Sequence, residues 1–132
     1  VENYDSGQER SEGYVLGDGT KIGVWTVWHE NGQKWMEYEY RNGLMDGPFL
    51  KWYPNGQKRT VGEYRGGKKE GAWTAWYEAG GLDGVEVSGL MWEGTHRADK
   101  KDGPWTFWSV DGSINGELSG IYRNDEKTVE RP

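Results

Sequence analysis

One spacing constrains this chain more than any other feature: a 24-residue offset at which glycines and aromatic residues coincide. Gly23 to Asp46 reads GVWTVWHENGQKWMEYEYRNGLMD, and Gly47 to Glu70 reads GPFLKWYPNGQKRTVGEYRGGKKE. Both open on Gly, carry an aromatic at Trp25 or Phe49, and place Trp at 28 or 52. Both then give Asn-Gly-Gln-Lys, at 31–34 and 55–58, followed by Tyr40 or Tyr64. A fixed offset of this kind marks a repeat architecture, in which each unit buries its apolar residues against its neighbours.

That frame predicts one repeat domain over residues 1–132. It comprises a partial repeat at 1–22, repeats at 23–46, 47–70, 71–102 and 103–126, and a polar tail at 127–132. The partial repeat parallels the second half of a unit, so the frame starts in mid-repeat, behind an earlier strand or as a degenerate cap. The third unit has 32 residues, eight more than its predecessors. With Trp92 set at the Tyr64 position, about half of the insertion lengthens the hairpin, and the rest lengthens an outgoing loop, THRADKKD.

Within a unit, Val24 to Glu30 is rich in Val, Trp and Thr and stops at Asn31-Gly32. Asn-Gly between two such runs predicts a type I′ hairpin turn, which needs positive φ at both central residues, and Asp111-Gly112 gives the same signal. Glycine recurs too often for any three-turn helical stripe. The predicted fold is all-β: an elongated, single-layer antiparallel meander of tandem β-hairpins with about nine short strands. At about 4.8 Å between strands the sheet is about 40 Å long.

Alternation along a strand assigns faces. Trp25, Phe49, Trp73 and Trp105 fall on one face, and Trp28, Trp52, Trp76 and Trp108 on the other. A single layer can bury only one of these ladders in a shared core, and alternation does not say which. Aromatics make up 14% of the chain, while all residues in the set AVILMFWYC reach only 33%, so rings rather than aliphatics must do the burying.

Charge and composition exclude several chemistries. The net charge of −6 disfavours nucleic acid and anionic membrane as partners. The absence of Cys removes disulfides, thiolate catalysis and zinc–thiolate sites. No run of about 18 apolar residues predicts a membrane-spanning helix, and VENYDSGQER does not read as a signal peptide.

The pattern G-x-W-x-x-W/Y-x-x-N-G-Q-K followed by E-Y-x-x-G-x-x-x-G resembles MORN repeats. It is most similar to the bacterial variant in proteins labelled YwqK-like antitoxins. The resemblance runs from Tyr4 to about Asn124 and is most specific in WYPNGQKR and GEYRGGKKEG. It departs at 79–82 and 111–114. It implies an elongated twisted sheet of hairpins and a role in scaffolding, protein binding or membrane association.

Candidate binding residues are Trp28, Trp52, Trp76 and Trp108, as a second ladder facing a partner, with Tyr40, Tyr64, Trp92 and Tyr122 on the return strands. Trp and Tyr are enriched among interface hot spots, and an unpaired sheet edge is a second docking route. Exposed rings also suit sugars or choline. The short basic run with Arg97, Lys100 and Lys101 fits lipid head groups weakly. The many carboxylates read as solvated charges. His29 and His96 stand at unrelated repeat positions, without the spacing of a metal site. No nucleotide-binding loop, catalytic set, metal or small-molecule cofactor is expected. The expected function is a non-enzymatic module that binds a protein partner. A carbohydrate, choline or lipid binder and a toxin-neutralising antitoxin are the alternatives.

Overall fold

The computed structural model describes residues 1–78 and 89–128. Its strands are β1 (Glu2–Asn3), β2 (Glu9–Val15), β3 (Lys21–Trp28), β4 (Lys34–Arg41), β5 (Leu44–Trp52) and β6 (Lys58–Arg65). They continue as β7 (Lys68–Trp76), β8 (Leu90–Arg97), β9 (Lys100–Phe107), β10 (Gly120–Arg123) and β11 (Glu126–Lys127). All eleven form one open sheet in chain order, each pairing antiparallel with its sequence neighbours. The expectation was about nine short strands. The two extra are β1 and β11, two residues each, folded back on β2 and β10 by terminal turns.

The sheet has two rims, which differ from β3 onward. At one, which we call the long-turn rim, His29 N–H donates to Gln33 O at 2.8 Å and Gly32 N–H to His29 O at 3.0 Å. Of the loop residues, only Gly32 has positive φ, at 88°. This is a three-residue loop, a type I turn closed by a left-handed glycine. The same bonds recur at Tyr4–Gln8, Tyr53–Gln57 and Ser109–Ser113. The type I′ turn expected at Asn31-Gly32 and Asp111-Gly112 is therefore absent there. It appears instead on the tight-turn rim, at Asn42-Gly43, Gly66-Gly67, Ala98-Asp99 and Asn124-Asp125, where both central residues have positive φ. At the β2–β3 connection of this opposite rim, Leu16–Thr20 repeats the longer turn.

The insertion in the third unit is also placed differently. Trp52 pairs with Lys58, and Trp76 with Leu90, so all eight extra residues lie between Trp76 and Leu90. Most of that connection, 79–88, lies outside the described residues. THRADKKD is not an enlarged loop: it is the end of β8, the two-residue turn and the start of β9. The residue at the Tyr64 position is His96, not Trp92, because Gly71 pairs with His96 as Gly47 pairs with Tyr64.

Gly23, Gly47, Gly71 and Gly103 do not open strands. Each lies inside one at positive φ, opposite a break in register at Glu12/Tyr14, Tyr38/Tyr40, Val61/Glu63 and Gly94/His96. Such bulges increase the local twist of a strand pair.

The core is a row of rings on one face. Trp73 and Trp105 are only 2% and 3% exposed, although among the described residues no second layer covers them. Their burial has three sources. Beneath each ring lies a glycine: a β-carbon at Gly13, Gly62 or Gly94 would overlap the indole of Trp25, Trp73 or Trp105. Beside Trp73 stand Phe49 and Tyr64, at 5.6 and 5.3 Å between ring centroids. Above lies a lysine, with Lys21, Lys69 and Lys101 Nζ at 5.0, 5.2 and 5.7 Å from the ring centres of Trp25, Trp73 and Trp105. Lysine stems shield apolar surface while the ammonium stays wet. The second unit replaces the whole set: Phe49 stacks on Tyr38 at 6.3 Å, and Met45 stands where the lysine would be.

We expect Gly62→Ala to destabilise the fold by about 1–3 kcal/mol through overpacking against Trp73, read as a lower urea midpoint. Adding Trp73→Phe should cost less in the Gly62→Ala background than alone. Additive costs would disprove the direct seat.

Candidate functional site: the tryptophan row of the long-turn rim

The Asn-Gly-Gln segments shape this rim. Asn31 and Asn55 Oδ1 each accept the N–H of the Gln two residues on, at 2.9 Å, which fixes the turn. Asp111 does the same for Ser113. Hydrogen bonds from Ser113 hold its carboxyl below the usual carboxylate range, and Thr20 has the same effect on Asp18. Glycine supplies the left-handed residue. Glutamine then reaches sideways: Gln8 and Gln33 lie against Gly32 and Gly56 of the following turns, and Gln57 Nε2 donates to Tyr77 O at 3.2 Å.

A second series of bonds joins turn to turn. Tyr4, Tyr53 and Tyr77 Oη donate to the carbonyls of Trp28, Trp76 and Trp108, at 2.8, 2.6 and 2.6 Å. His29 Nε2 lies 3.0 Å from Trp52 O in the equivalent place. Each tryptophan of the row thus has its main chain pinned by the preceding unit. Their side chains are held differently. Among the described residues, Trp28, Trp52, Trp76 and Trp108 form no ring pair, and their indole N–H groups make no hydrogen bond.

Strand alternation and the 3.0 Å Lys34–Glu37 ion pair place this row on the reverse face, away from Trp73 and Trp105. All four are half-buried. Trp28 and Trp52 wall an open cleft of about 430 Å³, lined also by Gly32, Gln33, Lys34 and Gly56. Lys34 Nζ lies 5.9 Å from the Trp52 ring.

The other candidates lie on the packed face. Tyr40 meets Trp25 edge-on at 5.9 Å, and Tyr64 meets Trp73 edge-on at 5.3 Å. Tyr122 is buried, with its hydroxyl donating to Leu118 O. Trp92 packs on Trp105 at 5.4 Å. The eight residues therefore divide into two groups of four on opposite faces. Burial raises the Tyr38, Tyr53 and Tyr64 pKa values and lowers that of Lys51.

His96 occupies the tyrosine position between two buried indoles, edge-on to Trp73 at 5.7 Å and to Trp105 at 4.9 Å. Its Nδ1 is buried without a hydrogen-bond partner. Desolvation first, then Lys69 and Lys101, push its pKa down, partly opposed by Asp125 and the Asp99 main chain. No group of three or more potential metal-ligating side chains occurs among the described residues.

Sequence reasoning missed the glycine seats, the lysine covers and the Tyr/His-to-Trp bonds. The signal was present as Lys four residues before each Trp of the packed ladder, at 21 and 25, 69 and 73, and 101 and 105.

Residues 21–42 and 45–65 match the family model of the MORN repeat variant. These stretches are the β3–β4 hairpin and the β5–β6 hairpin. Repeats of this type are generally protein- or membrane-binding modules without catalytic activity. No curated protein matches the chain.

The buried His96 predicts an acid-sensitive fold. Below the ordinary histidine pKa of 6.5, the unfolded chain binds a proton that the folded ring resists. Stability present at neutral pH is therefore lost as the pH falls through 6.5 towards the lowered folded value. The melting temperature should drop between about pH 7.5 and 5.5. His96→Tyr, which restores the residue of the other units, should reduce that drop; an equal drop in the variant would exclude His96 as the cause.

Proposed function

We propose that this chain is a non-enzymatic module that binds another protein along Trp28, Trp52, Trp76 and Trp108. One observation carries the reading: among the described residues these indoles have pinned backbones but no ring-to-ring partner and no hydrogen bond at the indole N–H, with only Lys34 over Trp52, whereas Trp73 and Trp105 are enclosed by glycine, rings and lysine. Rigid aromatic anchors of this kind contribute large contact area at low entropic cost. A toxin would be one such partner, making the chain an antitoxin. A free sheet edge offers a second route by strand addition.

Sugar or choline binding uses the same rings but fits less well. Lys34 already stands over Trp52, in the place a quaternary ammonium would take.

The test is a peptide-display selection against the intact chain, followed by affinity measurement. Trp52→Ser with Trp76→Ser should weaken selected binders by at least about 30-fold, the hot-spot scale, with the β-sheet circular dichroism retained. Trp73→Ala should instead unfold the chain, at a cost of about 3–5 kcal/mol. Unfolding by the Trp52/Trp76 pair would assign the row to the core. Saturable tryptophan quenching by choline or glycans, with no peptide binder selected, would replace the protein reading with the sugar or choline one.

A further inference from the structure

The tight-turn rim carries a second feature, on strands β7 to β10. Lys68 begins β7, Arg97 ends β8, Lys100 begins β9 and Arg123 ends β10. Together with Asp102 they line an open cleft of about 480 Å³. All four cationic side chains are exposed, and none forms an ion pair among the described residues.

This is unexpected in a chain with 22 acidic and 16 basic residues. The neighbouring acids have other partners. Asp46 Oδ2 accepts Gly66 N–H at 3.1 Å, Asp99 Oδ1 accepts Lys69 N–H at 2.8 Å and Asp125 Oδ1 accepts Lys101 N–H at 2.7 Å. Glu70 Oε2 accepts Ala98 N–H at 3.0 Å. These four carboxylates are thus tied to main-chain amides, and Lys68, Arg97, Lys100 and Arg123 form no ion pair among the described residues, whereas Arg65 on the same rim pairs with Glu63 at 3.8 Å.

The doubled lysines divide the same way. In Lys68-Lys69 and Lys100-Lys101 the second residue covers an indole on the packed face, and the first turns to the cleft. In the unit before them, the Lys68 position is Leu44, 51% exposed, so the cationic cleft is local.

We propose that this cleft binds an extended acidic segment of a partner protein, with carboxylates at alternate positions. The four cations span three strand gaps, about 14 Å at the usual sheet spacing. An extended chain places residues i, i+2 and i+4 over about 13 Å, so three alternating carboxylates cover the row. Asp102 at the cleft wall and the net charge of −6 oppose a planar anionic membrane, which meets the chain's whole field rather than one line of cations. The site lies on the rim opposite the tryptophan row and does not depend on it.

The experiment is fluorescence anisotropy with a labelled peptide of about ten residues alternating Asp and Ser, titrated with the intact chain at about 50 mM and 200 mM salt. Saturable binding is expected, weaker at the higher salt. Arg97→Glu with Lys100→Glu should weaken it by at least about tenfold, while Trp52→Ser with Trp76→Ser leaves it unchanged. Lys68→Glu with Arg123→Glu provides an independent pair if the turn variant unfolds. The proposal is overturned by absence of saturable binding, by equal binding in both charge-reversed pairs, or by binding to phosphatidylserine vesicles in preference to the peptide.

Discussion

Everything in this sheet depends on an indole lying flat on a glycine of the neighbouring strand. A single layer has no opposing surface, so a ring must be buried edge to edge and from beneath. Gly62 and Gly94 supply the floor for Trp73 and Trp105 because they lack a β-carbon. Lys69 and Lys101 supply the roof, and adjoining rings supply the walls. The second unit shows what happens without the floor: Tyr38 replaces the glycine, Phe49 replaces the indole, and Met45 replaces the cation. Three positions change together because they form one enclosure.

This packing makes the molecule nearly one-dimensional. Each strand touches its sequence neighbours, and long-turn-rim bonds extend that coupling by one repeat, from Tyr53 to Trp76 and from Tyr77 to Trp108. Stability in such arrays is approximately a sum of unit and nearest-neighbour terms. Among the described residues a single layer also leaves its reverse face and both rims uncovered.

The repeat, the all-β class and the two ladders were legible from glycine and aromatic spacing alone. The turns were not, because Asn-Gly is compatible with a type I′ turn and with a type I turn closed by a left-handed glycine. The choice depends on which residues pair across the loop, and His29 pairs with Gln33. In the third unit Trp92 resembles Tyr64 in chemistry, while the true equivalent, His96, does not, so ring chemistry points to the wrong frame. Counting outward from the Ala98-Asp99 turn identifies the right residue. The division of the candidate rings was half-visible: alternation separated Trp25 from Trp28, but only the glycine floors identify the ladder that is closed.

The enclosure has a consequence for how such chains can lengthen or exchange units. Gly62, Lys69 and Trp73 all lie between one long turn and the next, spanning β6, the tight turn and β7. A duplication or crossover with breakpoints in the long turns carries floor, roof and ring as one cassette. A breakpoint in a tight turn joins the indole of one parent to the floor of another, and a tyrosine floor under a tryptophan has no room. The packing unit is therefore half a period out of step with the hairpin that the 24-residue pattern displays.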